Sequence, residues 1–203
     1  MVELCTRTIN SDRCNEQEVE KPFPRRSHKM DAWDTEYLKI AVQYYVAARS
    51  ATFAFFWPVA GNLFHHAVEM FLKFLLLKTY SEEELRDSFR HNLRRLWKEY
   101  KRVNSGDHLG KYDQLVSTIN RMEDLRYPRS GYVFSIDLQA GPVHDASGQV
   151  AKRTQHYHLN LEDLDEFIST LLVGRVTSGW FRALLSHGDA QVQYEQHNVH
   201  RFY

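Results

Sequence analysis

Apolar residues recur at steps of three and four along most of the chain, which is the spacing of one face of an α-helix. The first run extends from Trp33 to Phe56 and stops before Trp57-Pro58, because the residue ahead of a proline disfavours helical geometry. The second run extends roughly from Val59 to Tyr80, and apart from one narrow polar stripe nearly every direction around the helix is apolar. A helix that is apolar in almost every direction is buried, so we expect this second helix at the centre of a bundle.

Four polar residues interrupt the second helix at steps of four, three and four: Asn62, His66, Glu69 and Lys73. This spacing places them on one narrow stripe. Two interpretations stay open: a polar interface seam against a neighbouring helix or a second subunit, and a ligand-binding groove lined by the same side chains. His65 and Glu69 also have the helical spacing of two metal ligands, but no third ligand is evident, so no metal site is predicted.

Two further helices are predicted after the second one. Ser81, with Glu84 three residues later, forms a capping box, and a single apolar stripe then runs from Leu85 to Val103. The next apolar stripe runs from Tyr112 to Leu125 and ends at the proline of "RYPRSG". The polar loop "NSGDHLG" separates the two helices.

Between residues 132 and 159 polar and apolar positions alternate, which is typical of strands. The segments "YVFSIDL" and "VAKRTQHYHL" are joined by the turn-rich "QAGPVHDASGQ", so a β-hairpin is predicted. Asn160 with Asp163 then caps a last strong helix that runs through Val173. The predicted fold class is all-α: an up-and-down bundle of about five helices with a small β-hairpin insertion before the last helix.

The two ends of the chain lack this periodicity. Residues 1–30 mix charge with proline, so we expect a flexible leader there, or a start assigned too early ahead of Met30. Residues 189–203 are polar and rich in histidine, so we expect a polar C-terminal tail. The helical domain is thus predicted over residues 31–188, with the hairpin insertion at 132–159.

The overall charge argues against a surface that is basic throughout, because 26 basic residues balance 26 acidic ones among 203 residues. Any RNA-binding surface must therefore be local. Cys5 and Cys14 are the only cysteines, and their spacing matches no metal or redox motif. No apolar segment is long enough to span a membrane. We expect a cytoplasmic protein with no membrane segment and no cofactor.

A local basic flank is predicted on the third helix. Arg86, Arg90 and Arg94 recur at steps of four, and Arg95 and Lys98 lie beside them. The flank is interpreted either as a binding surface for RNA or an acidic partner, or as an ordinary solvated helix face.

Three short motifs occur in an order that resembles the HEPN family of small helical bundles. They are A-V-E-x-x-L-K on the second helix, H-N-L-x-x-L on the third and R-Y-P after the fourth, and the resemblance covers residues 33–185. It implies a bundle that pairs as a homodimer through faces near the second and third helices. It also implies a non-catalytic interaction module associated with RNA or nucleotide, acting in some members with a nucleotidyltransferase-like partner protein.

The members of this family that are enzymes are metal-independent, toxin-like endoribonucleases, in which four to six residues separate an arginine from the histidine that follows it. The segment "RDSFRH" matches, with Arg86 to bind phosphate and His91 to act as general acid or base. The same loose spacing occurs at Arg102–His108, Arg153–His158 and Arg182–His187, so spacing alone does not single out this pair. A purely structural helical adaptor is the remaining alternative.

Overall fold

Most of the described chain is helical, which confirms the predicted all-α class. The computed structural model describes residues 32–105, 109–127, 134–138 and 157–203, so the predicted leader lies outside it. Within those ranges the α-helices are α1 (Ala32–Phe53), α2 (Trp57–Leu76), α3 (Glu82–Glu84), α4 (Leu93–Val103), α5 (Asp113–Arg121), α6 (Leu161–Leu172), α7 (Ser178–Leu184) and α8 (Ala190–Glu195). A π-helical turn (Leu85–Phe89) adjoins α3, and 3₁₀ turns (Leu109–Tyr112 and Met122–Arg126) flank α5.

The first two helices pack along each other at the centre of the bundle, and α2 is buried on nearly every side, as predicted. Pro58 stands in the first turn of α2, where its missing N–H leaves no hydrogen bond unmade, so this proline begins α2. Gly61 lets α2 approach the strand segment closely, because a Cβ there would come within 3.0 Å of the Phe134 ring. None of the helices in the described ranges has the length and apolar character needed to cross a membrane.

The third predicted helix is divided into two parts. The capping box forms as predicted, with Ser81 Oγ accepting from Glu84 N and the Glu84 carboxylate accepting from Ser81 N. The helix then widens into the π-helical turn and stops at Arg90, whose φ is 49°. A new helix, α4, begins at Leu93 and continues the apolar stripe. Because hydrophobic periodicity continues across the break, the sequence pattern does not reveal it.

The two strands, β1 (Phe134–Asp137) and β2 (Tyr157–Asn160), pair in parallel, with Phe134 opposite Tyr157. The predicted β-hairpin is therefore wrong, because the strands of a hairpin are antiparallel. Parallel strands need a connection of about a dozen residues or more that brings the chain back to the end of the sheet where the first strand began. The stretch between β1 and β2 is long enough for it. Most of that stretch lies outside the described residues. Alternation of polar and apolar positions is the same for both strand directions, so it could not have distinguished them.

Residues 189–203, predicted to form a polar tail, pack on the bundle instead of extending from it. The helix α8 lies against α1, and Tyr194 and Phe202 are buried. Arg49 of α1 donates from Nε to the Gln193 carbonyl oxygen at 3.0 Å and from Nη2 to the Gln196 carbonyl oxygen. The helical body thus continues through the segment that was expected to lie outside it.

Candidate functional site

The polar stripe of α2 centres on the carboxylate of Glu69, whose side chain is 0% exposed. Lys73, one turn later, donates from Nζ to Glu69 Oε1 at 2.7 Å. His91 Nδ1 lies 3.0 Å from Glu69 Oε2, and His66 Nδ1 lies 3.7 Å from the same oxygen. We call these four residues the Glu69 cluster. The side chain of His91 is 55% exposed, so the cluster opens to solvent at that residue.

Glu69 is ionised at neutral pH in spite of its burial. Burial alone would raise the pKa of a carboxyl group. Here the neighbouring His66, Lys73 and His91 side chains outweigh that effect and lower the pKa of Glu69 from its usual 4.5 to about 2. An ionised carboxylate only accepts hydrogen bonds, so we assign the shared proton to His91 Nδ1.

His91 reaches Glu69 because the chain turns sharply ahead of α4. The turn is made at Arg90, in the left-handed region that residues other than glycine seldom adopt. Asn92 then caps α4, since its side-chain oxygen accepts a backbone N–H of the first turn at 3.1 Å. Leu93 is fully buried. The H-N-L motif therefore supplies a carboxylate partner, a helix cap and a core residue at three consecutive positions.

His65 lies beside the Glu69 cluster on its buried side. Its Nδ1 is 3.2 Å from the carbonyl oxygen of Ile119, and because a carbonyl only accepts, Nδ1 carries the proton. Burial lowers the pKa of His65, so the ring is neutral and its Nε2 presents a lone pair. That nitrogen is 3.9 Å from Glu69 Oε2, and among the described residues it has no hydrogen-bond partner. Two acceptor atoms are thus close together without a proton between them.

The structure divides the four residues of the predicted seam. His66, Glu69 and Lys73 lie together under the turn that carries His91, and Glu69 and Lys73 are buried. This arrangement separates these three residues from the fourth. Asn62 lies apart, at a surface cavity of about 310 Å³, and its Nδ2 has no hydrogen-bond partner within the described ranges. The other residues lining this cavity are Pro58, Val59, Leu63, Leu125 and Arg126.

The predicted basic residues are all exposed, but they do not share one helix. Arg86 belongs to the π-helical turn, Arg90 to the break and Arg94 to α4, so the predicted alignment at steps of four is wrong. We call Arg86, Arg90, Arg94, Arg95 and Lys98 together the basic surface.

The cations of the basic surface differ in how firmly they are held. Arg94 donates from Nη2 to Ser117 Oγ at 2.8 Å, and the guanidinium of Arg95 lies 5.6 Å from the centre of the Phe89 ring. Arg90 and Lys98 make no hydrogen bond or close ion pair with any described residue. These two residues therefore present cationic groups that are not tied to a hydrogen-bond partner among the described residues.

The predicted catalytic pair, Arg86 and His91, lies on one exposed segment. Arg86 donates from Nε to Asp87 Oδ1 at 2.9 Å, and both of those side chains are exposed. No hydrogen bond joins Arg86 to His91 within the described part of the chain. The two residues are close in sequence, but each is held by a different carboxylate: Arg86 by Asp87, and His91 by Glu69.

Sequence reasoning missed two features of charge. One is the contact of Glu69 with His91, whose signal was the H-N-L motif 22 residues further along the chain. This contact brings ligand atoms of His66, Glu69 and His91 within 4.8 Å of one another, a grouping that could hold a metal ion. The other is a second buried ion pair between Arg49 and Asp165, for which the sequence carries no local signal.

Comparison with protein-family models, with curated proteins and with solved structures finds no match to this chain. The likeness to the HEPN family therefore rests on the three sequence motifs. Membership of that family, pairing as a homodimer and action with a nucleotidyltransferase-like protein are hypotheses that go with it.

Proposed function

We propose that the protein is a non-catalytic helical module that binds RNA through the basic surface. The observation that carries this proposal is the concentration of charge over residues 86–98, where five basic residues accompany one acidic residue in a chain of zero net charge. All five basic side chains are exposed. Phosphate groups are the ligands that such a local excess of arginine and lysine favours.

RNA is favoured over an acidic protein because the cations are spread along two short elements and the turn between them. A phosphate backbone presents charges at regular intervals, so it engages several separated cations at once. Arg90 and Lys98 contribute most to this proposal, since neither has a competing hydrogen bond in the described chain. The HEPN resemblance also supports an RNA-associated role. The homodimer and the nucleotidyltransferase-like partner are part of the same hypothesis.

The test is binding of a fluorescently labelled single-stranded RNA, followed by anisotropy at low and at moderate salt. We expect Arg90→Glu with Lys98→Glu to weaken binding at least about tenfold and to reduce the dependence on salt. The matched control is Lys78→Glu with Arg182→Glu, which changes the net charge equally at two exposed cations outside the basic surface. Equal weakening in both double variants would reduce the effect to net charge and refute a specific surface.

A second candidate function, a metal-independent endoribonuclease, is favoured by one observation. His91 is oriented through Nδ1 by an ionised, buried carboxylate, while its ring remains exposed. A carboxylate that holds one imidazole nitrogen leaves the other free to accept a proton, which is the arrangement of a general base. In this hypothesis Arg86 would bind the phosphate.

Cleavage of a mixed RNA substrate in EDTA distinguishes the two candidates. Cleavage that is lost in His91→Ala and kept in His187→Ala, with both variants folded, would establish the nuclease. Binding without cleavage would establish the non-catalytic module. Neither binding nor cleavage would leave the structural adaptor.

A further inference from the structure

Two histidine nitrogens lie beside one buried carboxylate oxygen, and all three atoms have the chemistry of metal ligands. His66 Nδ1 and His91 Nδ1 lie 3.7 and 3.0 Å from Glu69 Oε2. In a tetrahedral zinc site with bonds of about 2.0–2.1 Å, ligand atoms are about 3.3 Å apart. These two separations lie on either side of that value, and all three ligand atoms lie within 4.8 Å of one another, so modest side-chain rotations would place them around one ion.

We propose that His66, Glu69 and His91 form a binding site for a divalent transition-metal ion such as Zn²⁺. Two imidazole nitrogens and one carboxylate oxygen suit zinc and its neighbours in the first transition series, and they suit magnesium or calcium poorly. Three protein ligands leave a further position for water or another molecule, and the exposed side of His91 gives access to it. The site goes beyond the RNA-binding role and does not depend on it.

A second observation points independently to a cation. The buried His65 Nε2 presents a lone pair 3.9 Å from Glu69 Oε2 and lacks a hydrogen-bond partner in the described residues. The side chain of His65 is fully buried, so a buried polar atom without a hydrogen-bond partner adjoins the oxygen on which the ion would lie. His65 itself is not required as a ligand.

The surroundings orient the ligands. Lys73 holds Glu69 Oε1 at 2.7 Å, which leaves Oε2 for the ion and fixes the plane of the carboxylate. The Tyr44 ring packs on His66, with ring centres 5.4 Å apart, which limits rotation of that imidazole. Since His66 and Glu69 are three residues apart on α2, the helix itself sets their separation.

Metal binding at His91 has a consequence for proton transfer. The ion takes the place of the proton on Nδ1, and in the neutral ring that proton then resides on Nε2. His91 can no longer accept a proton at Nε2 in this state. A bound metal and a general-base role for His91 are therefore mutually exclusive.

The test is titration of the metal-free, untagged protein with Co²⁺, followed by visible absorption, and with Zn²⁺, followed by calorimetry. All proteins carry Cys5→Ser and Cys14→Ser, so that no thiolate contributes. We expect one ion per chain and a cobalt spectrum of low coordination number. His66→Gln and His91→Gln should each weaken binding at least about tenfold.

The control is His187→Gln, an exposed histidine outside the cluster, which should bind metal like the parent. Thermal unfolding of each variant without metal separates loss of a ligand from loss of the fold. Because His91 is exposed, His91→Gln is the variant that should disturb the fold least. No metal binding by the parent would overturn the proposal. Undiminished binding by folded His66→Gln and His91→Gln would overturn it equally.

Discussion

Among the residues that the structure describes, two carboxylates are buried within charged clusters, and the clusters differ in their access to water. Asp165 pairs with Arg49 Nη1 at 2.5 Å, and these side chains are 1% and 0% exposed. Tyr45 donates its hydroxyl hydrogen to the same carboxylate and is also buried. Glu69 is just as deeply buried, but its partner His91 reaches the surface. We call Arg49, Asp165 and Tyr45 the Arg49 cluster.

Under our proposal, this difference separates the structural role of the Arg49 cluster from the metal-binding role of the Glu69 cluster. Every partner in the Arg49 cluster comes from the protein, and it joins α1, α6 and the C-terminal segment. In the Glu69 cluster a proton, an ion or a ligand can replace the exposed His91 imidazole as the partner of the carboxylate. Burial of a charged group alone therefore says little about function. What matters is whether one of its partners is accessible.

The largest effect on stability is expected in the Arg49 cluster. Asp165→Asn should lower the free energy of unfolding by about 4 kcal/mol, because it leaves the guanidinium of Arg49 charged and buried without a counter-ion. Urea unfolding measures the change. The control is Asp163→Asn, an exposed position on the same helix, with an expected loss of about 0.5 kcal/mol or less. Similar losses in both variants would contradict a buried ion pair.

A smaller loss of stability is expected in the Glu69 cluster. Glu69→Gln should lower the free energy of unfolding by about 3 kcal/mol near neutral pH, because Lys73 and the two histidines lose the ionised carboxylate. Water that enters beside His91 can relieve part of the cost, which water cannot do for Arg49. The control is the exposed Glu83→Gln. If Glu69→Gln lowered the free energy of unfolding more than Asp165→Asn did, the view that the Arg49 cluster is the more tightly sealed of the two would be wrong.

The smallest effect is the dependence of the Glu69 contribution on pH. The pKa of this group is depressed on folding from 4.5 to about 2, so its contribution is present above 4.5 and is lost as pH falls toward 2. The difference in unfolding free energy between the parent and Glu69→Gln should be about 2 kcal/mol smaller at pH 3 than at pH 5. A difference that does not change with pH would show that Glu69 is not ionised in the way described.

The parts of the fold that were predictable are those with a local cause. The burial of α2 followed from its apolar positions, and the capping box at Ser81 and the cap at Asn160 followed from side chains adjacent to the backbone groups they bind. The nearness of His66, Glu69 and Lys73 followed from helical spacing alone.

The parts that were missed depend on contacts between distant segments. The position of His91 over Glu69 requires the turn at Arg90, and nothing in the identity of an arginine predicts a positive φ. The parallel pairing of β1 and β2 depends on the path of the chain between them. The polar composition of residues 189–203 concealed Tyr194 and Phe202, two aromatic side chains that are enough to attach the segment to the bundle.

The Arg49 cluster also has a consequence for synthesis of the chain. The arginine precedes Asp165 by 116 residues and Gln196 by 147 residues, so the ribosome completes α1 long before either partner exists. Throughout that interval the guanidinium must stay hydrated, because burying it unpaired would cost several kcal/mol. We expect α1 to take its final place only after the segment that contains Gln193 and Gln196 has emerged from the ribosome, so the final packing of this helix comes late in folding.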